Sequence, residues 1–185
     1  MNLLNVHKVL PRGRALAPAL LRRAATVELG WDLRARSRFD AADSSGRRLA
    51  IVLPRGKVLR DADVLVAEDG SLVRVIAAAE PVMVVRTCPE HGQPFDLLRA
   101  AYHLGNRHVA LELRPDHLKL EPDPVLAQML RGMHLIVTDE SSAFEPEAGA
   151  YAREGHGHGH GHGHGHEHGH GHGHDNHDHA GHGDA

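Results

Sequence analysis

An α+β chain in three segments is predicted by three observations. The hydrophobic period changes near residue 80, the second half orders its elements β-α-β-β-α-β, and the last 31 residues hold thirteen of the 19 histidines. Residues 1–79 read as a small all-β domain, 80–150 as a ferredoxin-like βαββαβ domain, and 151–185 as a disordered His-rich tail.

The N-terminal stretch "MNLLNVHKVLPRGRALAPALLRR" is rich in arginine and free of acids, as transit peptides are, and reads as a first strand followed by a poorly specified extension. Short strands and turns come next, in "ATVELGWDLRARSRFDA", "LAIVLP" and "VLVAEDGSLVRVIAA". Ser45-Gly46 and Asp69-Gly70 lie between alternating apolar runs, which marks two hairpins. Pro54-Arg55-Gly56 and Asp61-Ala62-Asp63 are loop corners, and "PRGK" lacks the surroundings of a phosphate-binding loop.

Glu80-Pro81 punctuates the chain, and "VMVVRT" has the composition of a buried strand. Pro94 opens a helix over "PFDLLRAAYHL", where Phe95, Leu98, Ala101 and Tyr102 recur at helical spacing until Gly105 stops it. "HVALEL" and "HLKLE" read as strands. The second helix, "DPVLAQMLRGM", takes Asp123 as N-cap, Pro124 at its first position and Gly132 near its end, and "HLIVTD" supplies the last strand.

Charge excludes several function classes. Four of the 24 acids lie in the tail, which leaves 20 against 21 basic residues in the first 154, a balance unlike a nucleic-acid or anionic-membrane footprint. The single cysteine, Cys88, excludes an intramolecular disulfide framework and suits a reducing, cytoplasmic compartment. No apolar run reaches the roughly 18 residues of a membrane span. A nucleophile elbow, a recognisable carboxylate pair and an HExxH motif are all missing, so the chain does not read as an enzyme.

The tail carries His156, His158, His160, His162, His164, His166, His168, His170, His172, His174, His177, His179 and His182, mostly alternating with glycine. With no side chain in this stretch apolar and larger than alanine, burial cannot offset the entropy of ordering it. An imidazole of pKa about 6.5 is mostly neutral at pH 7 and offers a ring nitrogen to divalent transition metals. Such a segment favours capacity over selectivity, and by ligand type alone it accepts copper, nickel or zinc. An affinity tag is an uninterrupted histidine run, whereas Glu167, Asp175, Asn176 and Asp178 break this one.

The strings "YHLGNRH", "VLAQMLRGM" and "EPEAGAY" ahead of a histidine-rich tail resemble the urease accessory metallochaperone family UreE, and "LPRGKVLRDADVLVAEDGSLVRVIAAAEPVMVV" resembles its β domain. The resemblance runs from about Val27 to Tyr151 and on into the tail. It implies a cytosolic homodimer that carries Ni2+, with Zn2+ or Cu2+ as possible substitutes in vitro, and passes it through a GTPase partner to the apo-urease complex. The family's interfacial ligand, the last residue of "GNRH", falls on His108. Spacing alone puts His108 at a junction where Asn106-Arg107 turns from helix into strand, and two copies across a two-fold axis would make a symmetric pair.

The remaining histidines carry weaker signals. His103 reads as a packing residue or a support for the ligand. His91, three residues after Cys88, has ligand-like spacing but only a thiol beside it, and His7, His117 and His134 read as ordinary surface or core positions. Where some family members carry a His-x-His pair before the second helix, this chain has Pro122-Asp123-Pro124, so that peripheral site is expected to be absent. Two functions stay open: a store for nickel or zinc, and a chaperone that delivers nickel. As a Gly-rich coil, the tail has an r.m.s. span of about 30 Å, so metal caught on it can visit His108 without leaving the molecule.

Overall fold

A computed structural model describes residues 3–148. The predicted disorder of 151–185, and all thirteen tail histidines, lie outside the described residues. The architecture is α+β, with two sheets that divide between Ala77 and Ala79.

The first sheet has six strands in the order β2-β6-β5-β1-β4-β3: β1 Leu3–Leu10, β2 Ala25–Leu29, β3 Arg38–Ala42, β4 Arg48–Val52, β5 Val64–Ala67 and β6 Leu72–Ala77. Alternation sends one side chain in two inward, and Val6, Val27, Leu49, Ile51, Leu65, Val73 and Val75 close a single core. Each such burial contributes about 1.5–3 kcal/mol. The two hairpins form as expected, β3 against β4 and β5 against β6, with Gly46 and Gly70 each at φ +81° in the turns.

The poorly specified N-terminal extension is a defined element instead. After β1 the chain makes a 3-10 turn, Pro11–Gly13, and a helix α1, Pro18–Arg23. Gly13 has φ +58°, and a β-carbon there would lie 2.8 Å from Leu21 Cδ2, so glycine suits the turn on which this helix folds back. A second short helix, α2 Trp31–Arg34, interrupts the stretch that reads as strands.

The second sheet has the order β10-β7-β9-β8, built from β7 Ala79–Thr87, β8 Glu112–Leu113, β9 Leu118–Leu120 and β10 Leu135–Ala143, all antiparallel. With α3 Pro94–Gly105 and α4 Pro124–Gly132 it gives the ferredoxin-like βαββαβ order. Asp123 caps α4, its Oδ1 accepting from Val125 N at 2.8 Å and Leu126 N at 2.9 Å.

Two strand expectations are corrected. Pro81 does not interrupt the chain but lies inside β7 opposite Ser141, where β9 no longer flanks the strand and a missing N–H leaves no ladder bond unmade. "HVALEL" yields only the two residues of β8, and before it Ala110 packs with Val82, Val84 and Phe144 while Leu111 enters the helix-covered core.

A buried cation joins the two halves. Arg34, at the end of α2, is 0% exposed. Its Nε donates to Leu29 O at 3.0 Å, and one terminal nitrogen donates to Glu145 Oε1 at 2.7 Å. The other donates to Phe144 O and lies 3.9 Å from Glu80 Oε1. Burial pushes the guanidinium pKa down, and Glu145 and Glu80 oppose that shift. The guanidinium carbons of Arg34 and Arg60 lie 5.6 and 5.7 Å from the centre of the Trp31 ring, which meets Phe144 edge-on at 6.0 Å. Residues 144–147, which follow β10, therefore form a strap across both halves: Phe144 is fully buried, and Arg60 donates to Pro146 O at 2.6 Å.

Arg34→Met strands the carboxylate of Glu145 and removes the donor to Phe144 O. It is expected to lower stability by about 3–5 kcal/mol in urea denaturation, the cost of breaking a buried pair from one side.

Candidate metal site at the end of helix α3

Helix α3 begins with a capping box, Gln93 and Asp96 satisfying each other's backbone, with Pro94 in its first turn. Leu97, Ala100 and Leu104 form its buried face, packed with Met83 and Val85 of β7. Of the apolar residues that announce the helix in the sequence, Ala101 packs against this core and the other three lie on the opposite face. Phe95, Leu98 and Tyr102 are 56%, 62% and 66% exposed. Their spacing is helical, as read, but the stripe points to solvent. It carries Arg99 over the Phe95 ring at 5.3 Å, and Tyr102 meets the His103 ring edge-on at 5.4 Å.

The stripe leads to His108. Gly105 ends the regular helix, yet the residue that turns the chain is His108, whose φ is +56°. His108 N donates to Gly105 O at 2.9 Å and Val109 N to Leu104 O at 3.3 Å. These two bonds, with Val109 and Leu104 both in the helix-covered core, make a Schellman motif with histidine in the left-handed position that glycine usually fills. The sequence places the junction correctly but not its form: His108 sits in a turn, and the next strand starts only at Glu112.

An L side chain in the left-handed region costs about 1–2 kcal/mol relative to glycine, a strain that His108 shares with Arg12, Ala15, Ala62 and His134. His108 is exposed, and among the described residues no group of three His, Cys, Asp or Glu side chains is arranged to hold an ion. One imidazole alone is an incomplete site.

The other histidines lie elsewhere. His103 is half-buried beside Tyr102, one turn before the Schellman motif, and its carbonyl accepts from Arg107 at 3.2 Å. His117 Nδ1 lies 2.9 Å from Asp116 Oδ1, and that partner holds the Asp116 carboxyl below the usual range. His7 is exposed, and His134 is exposed with φ +63°. Cys88 Sγ and His91 Nδ1 stand 4.0 Å apart in the loop before α3, beside a cavity of about 780 Å³ that Asp96, Arg99 and His134 also line. A β-carbon on Gly92 would come within 2.5 Å of Cys88 O, so this loop needs glycine there.

Behind the His108 turn stands a buried carboxylate that the sequence does not announce. Glu112, 3% exposed, accepts from Glu145 N at 2.7 Å and from Arg114 Nε at 2.8 Å, with Lys119 Nζ at 3.6 Å. Desolvation alone would raise its pKa. The hydrogen bonds from Glu145 and Arg114 and the charge of Lys119 outweigh that and hold it below the usual carboxylate range.

Comparison with known proteins follows the division between the sheets. A family model for the N-terminal domain of the UreE urease accessory protein matches residues 6–78, and one for its C-terminal domain matches residues 80–184. The chain belongs to the UreE urease accessory protein family. Proteins named urease accessory protein UreE resemble it closely. That of Paracidovorax citrulli is 65% identical over 154 residues, covering 83% of this chain and 73% of the relative. That of Methylibium petroleiphilum is 70% identical over 149 residues, 80% of this chain and 69% of the relative. That of Verminephrobacter eiseniae is 64% identical over 150 residues, 81% and 89% respectively. No helix among the described residues is long and apolar enough to cross a membrane.

His108→Gly relieves the left-handed strain and removes only an exposed ring. Chemical denaturation should show a stability gain of about 1 kcal/mol, whereas His108→Val, β-branched in the same conformation, should lose stability.

Proposed function

We propose that the chain is a nickel-carrying chaperone of urease maturation that works in the cytoplasm as a homodimer, and is not itself an enzyme. Histidines of the tail gather nickel, a pair of His108 rings across the dimer axis holds it, and a partner GTPase passes it to apo-urease. The observation that carries this reading is His108 itself: an exposed imidazole kept in a backbone conformation suited to glycine, at the end of an uncovered apolar stripe. Family membership supports the setting in urease maturation.

The stripe supports the dimer. Phe95, Leu98 and Tyr102 occupy successive turns of one helix face, and such a patch is self-complementary when two copies meet about a two-fold axis. That axis near the end of α3 would bring two His108 rings together and double the donors that one copy offers. Nickel suits neutral imidazole, and its binding competes with protons, so release is favoured wherever the rings are protonated. Storage without delivery remains the second reading, and the exposed placement of His108 favours delivery, since a held ion there stays open to a receiving protein.

The intact chain should bind several nickel ions per dimer and a chain ending at Arg153 far fewer, while keeping one tighter ion. Adding His108→Gly to the shortened chain should abolish that ion, and isothermal titration calorimetry reads all three. Retained tight binding would remove His108 from the site.

Leu98→Asp places a charge at the centre of the stripe. Sedimentation should show a monomer in place of a dimer, with tail-dependent nickel capacity unchanged.

A further inference from the structure

The turn that carries His108 is joined to β8 by Val109, Ala110 and Leu111, and these residues are held by two different parts of the molecule. Val109 and Leu111 sink into the core under α3, whereas Ala110 packs with Phe144 at the junction of the two halves. Leu111 O accepts from Glu147 N at 2.9 Å, and Glu112 Oε2 accepts from Glu145 N at 2.7 Å. The strap therefore grips the connection at two consecutive residues. Glu145 in turn is fixed by the N-terminal half: its Oε1 accepts from Arg34 at 2.7 Å and from Asp61 N at 3.0 Å. A continuous run of hydrogen bonds and packing links a buried cation of the first sheet to the backbone three residues after His108.

We infer that Glu145 is a positioning residue for His108, through which the N-terminal half sets the direction in which the imidazole is presented. This rests on the reading of His108 as a nickel ligand. A ligand pair shared by two copies tolerates only about 0.5 Å of error, and an exposed turn without support from behind would not hold that tolerance. The strap supplies the support at Ala110, Leu111 and Glu112, within four residues of the ring. Glu145 touches no ligand, so its effect must run through the backbone of the 109–112 connection. Residues that orient metal ligands typically change affinity or activity by about 10–100-fold when lost.

The test is a double-mutant cycle in the full chain with Glu145→Gln, which keeps the side-chain volume and one acceptor oxygen but removes the charge that neutralises Arg34. Wild type, Glu145→Gln, His108→Gly and the double variant are loaded with nickel. Transfer to apo-urease in the presence of the partner GTPase is timed, bound nickel is counted by equilibrium dialysis, and thermal melting verifies folding. Glu145→Gln should slow transfer by about tenfold with nickel capacity unchanged, and should have no further effect once His108 is glycine, because both act at one place. An equal slowing by Glu145→Gln in the wild-type and His108→Gly backgrounds would overturn the inference, as would full-speed transfer by Glu145→Gln. Full-speed transfer by His108→Gly would instead overturn the reading of the site beneath it. Should Glu145→Gln fold poorly, Glu112→Gln, which weakens the acceptor for Glu145 N, loosens the strap from the connection and enters the same cycle with the same expected outcomes.

Discussion

A guanidinium sealed from water has to be neutralised and fully hydrogen-bonded, and Arg34 imposes that condition on both halves of the molecule. The groups that meet it come from far apart in the chain: Leu29 O from the first sheet, Glu80 from the start of β7, and Phe144 O with Glu145 from the strap. Of these, Glu80, Phe144 O and Glu145 are within reach only when the two sheets are docked and residues 144–147 run between them. The buried ion thus does what an apolar contact alone would do less selectively. It admits one relative placement of the halves, since a sliding hydrophobic interface would leave the charge without a partner. Trp31 and Phe144 fill the space around it, so the charge and the aromatic pair form one unit.

The sequence disclosed those parts whose cause is local. Hairpin turns at Gly46 and Gly70, the proline-led starts of α3 and α4 and the Asp123 cap follow from short-range chemistry, and the βαββαβ order followed from the succession of periods. Arg34 gave no such sign. In "WDLRARSR" it stands among three other charged residues and looks as solvated as they are, because burial is decided by Glu145, 111 positions away. Pro81 misleads for a related reason. Proline ends a strand only where its missing N–H faces a neighbour, and which strands are neighbours is a property of the sheet order.

At the candidate site the same contrast recurs in sharper form. The period of Phe95, Leu98 and Tyr102 marks a helix but cannot say which of its two apolar faces meets the sheet. The small Ala100 between Leu97 and Leu104 lies on the buried side, where close packing on β7 favours a small residue. Gly105 draws attention as a helix stop, yet the left-handed turn falls three residues later on a histidine. That displacement could be found only in the backbone, and it sets His108 and His134 apart from the other histidines of the described residues. His134 shares the left-handed conformation, but it lies beside the loop of Cys88 and not at the end of the stripe.

Glu147, tied to Leu111, is the last residue whose backbone is bonded to the rest of the fold among the described residues. Register in every described strand and the closure of the strap are complete at that point, so none of those bonds depends on the length of what comes after. A change beyond Glu147 leaves the register of the described strands as it is. The number of imidazoles can therefore be adjusted one dipeptide at a time, by gain or loss of Gly-His units, while the strap and the His108 turn stay as they are. On the proposed function, capacity for metal and stability of the described fold become separately heritable traits of one gene, and natural selection can match the first to the supply of metal without reopening the second.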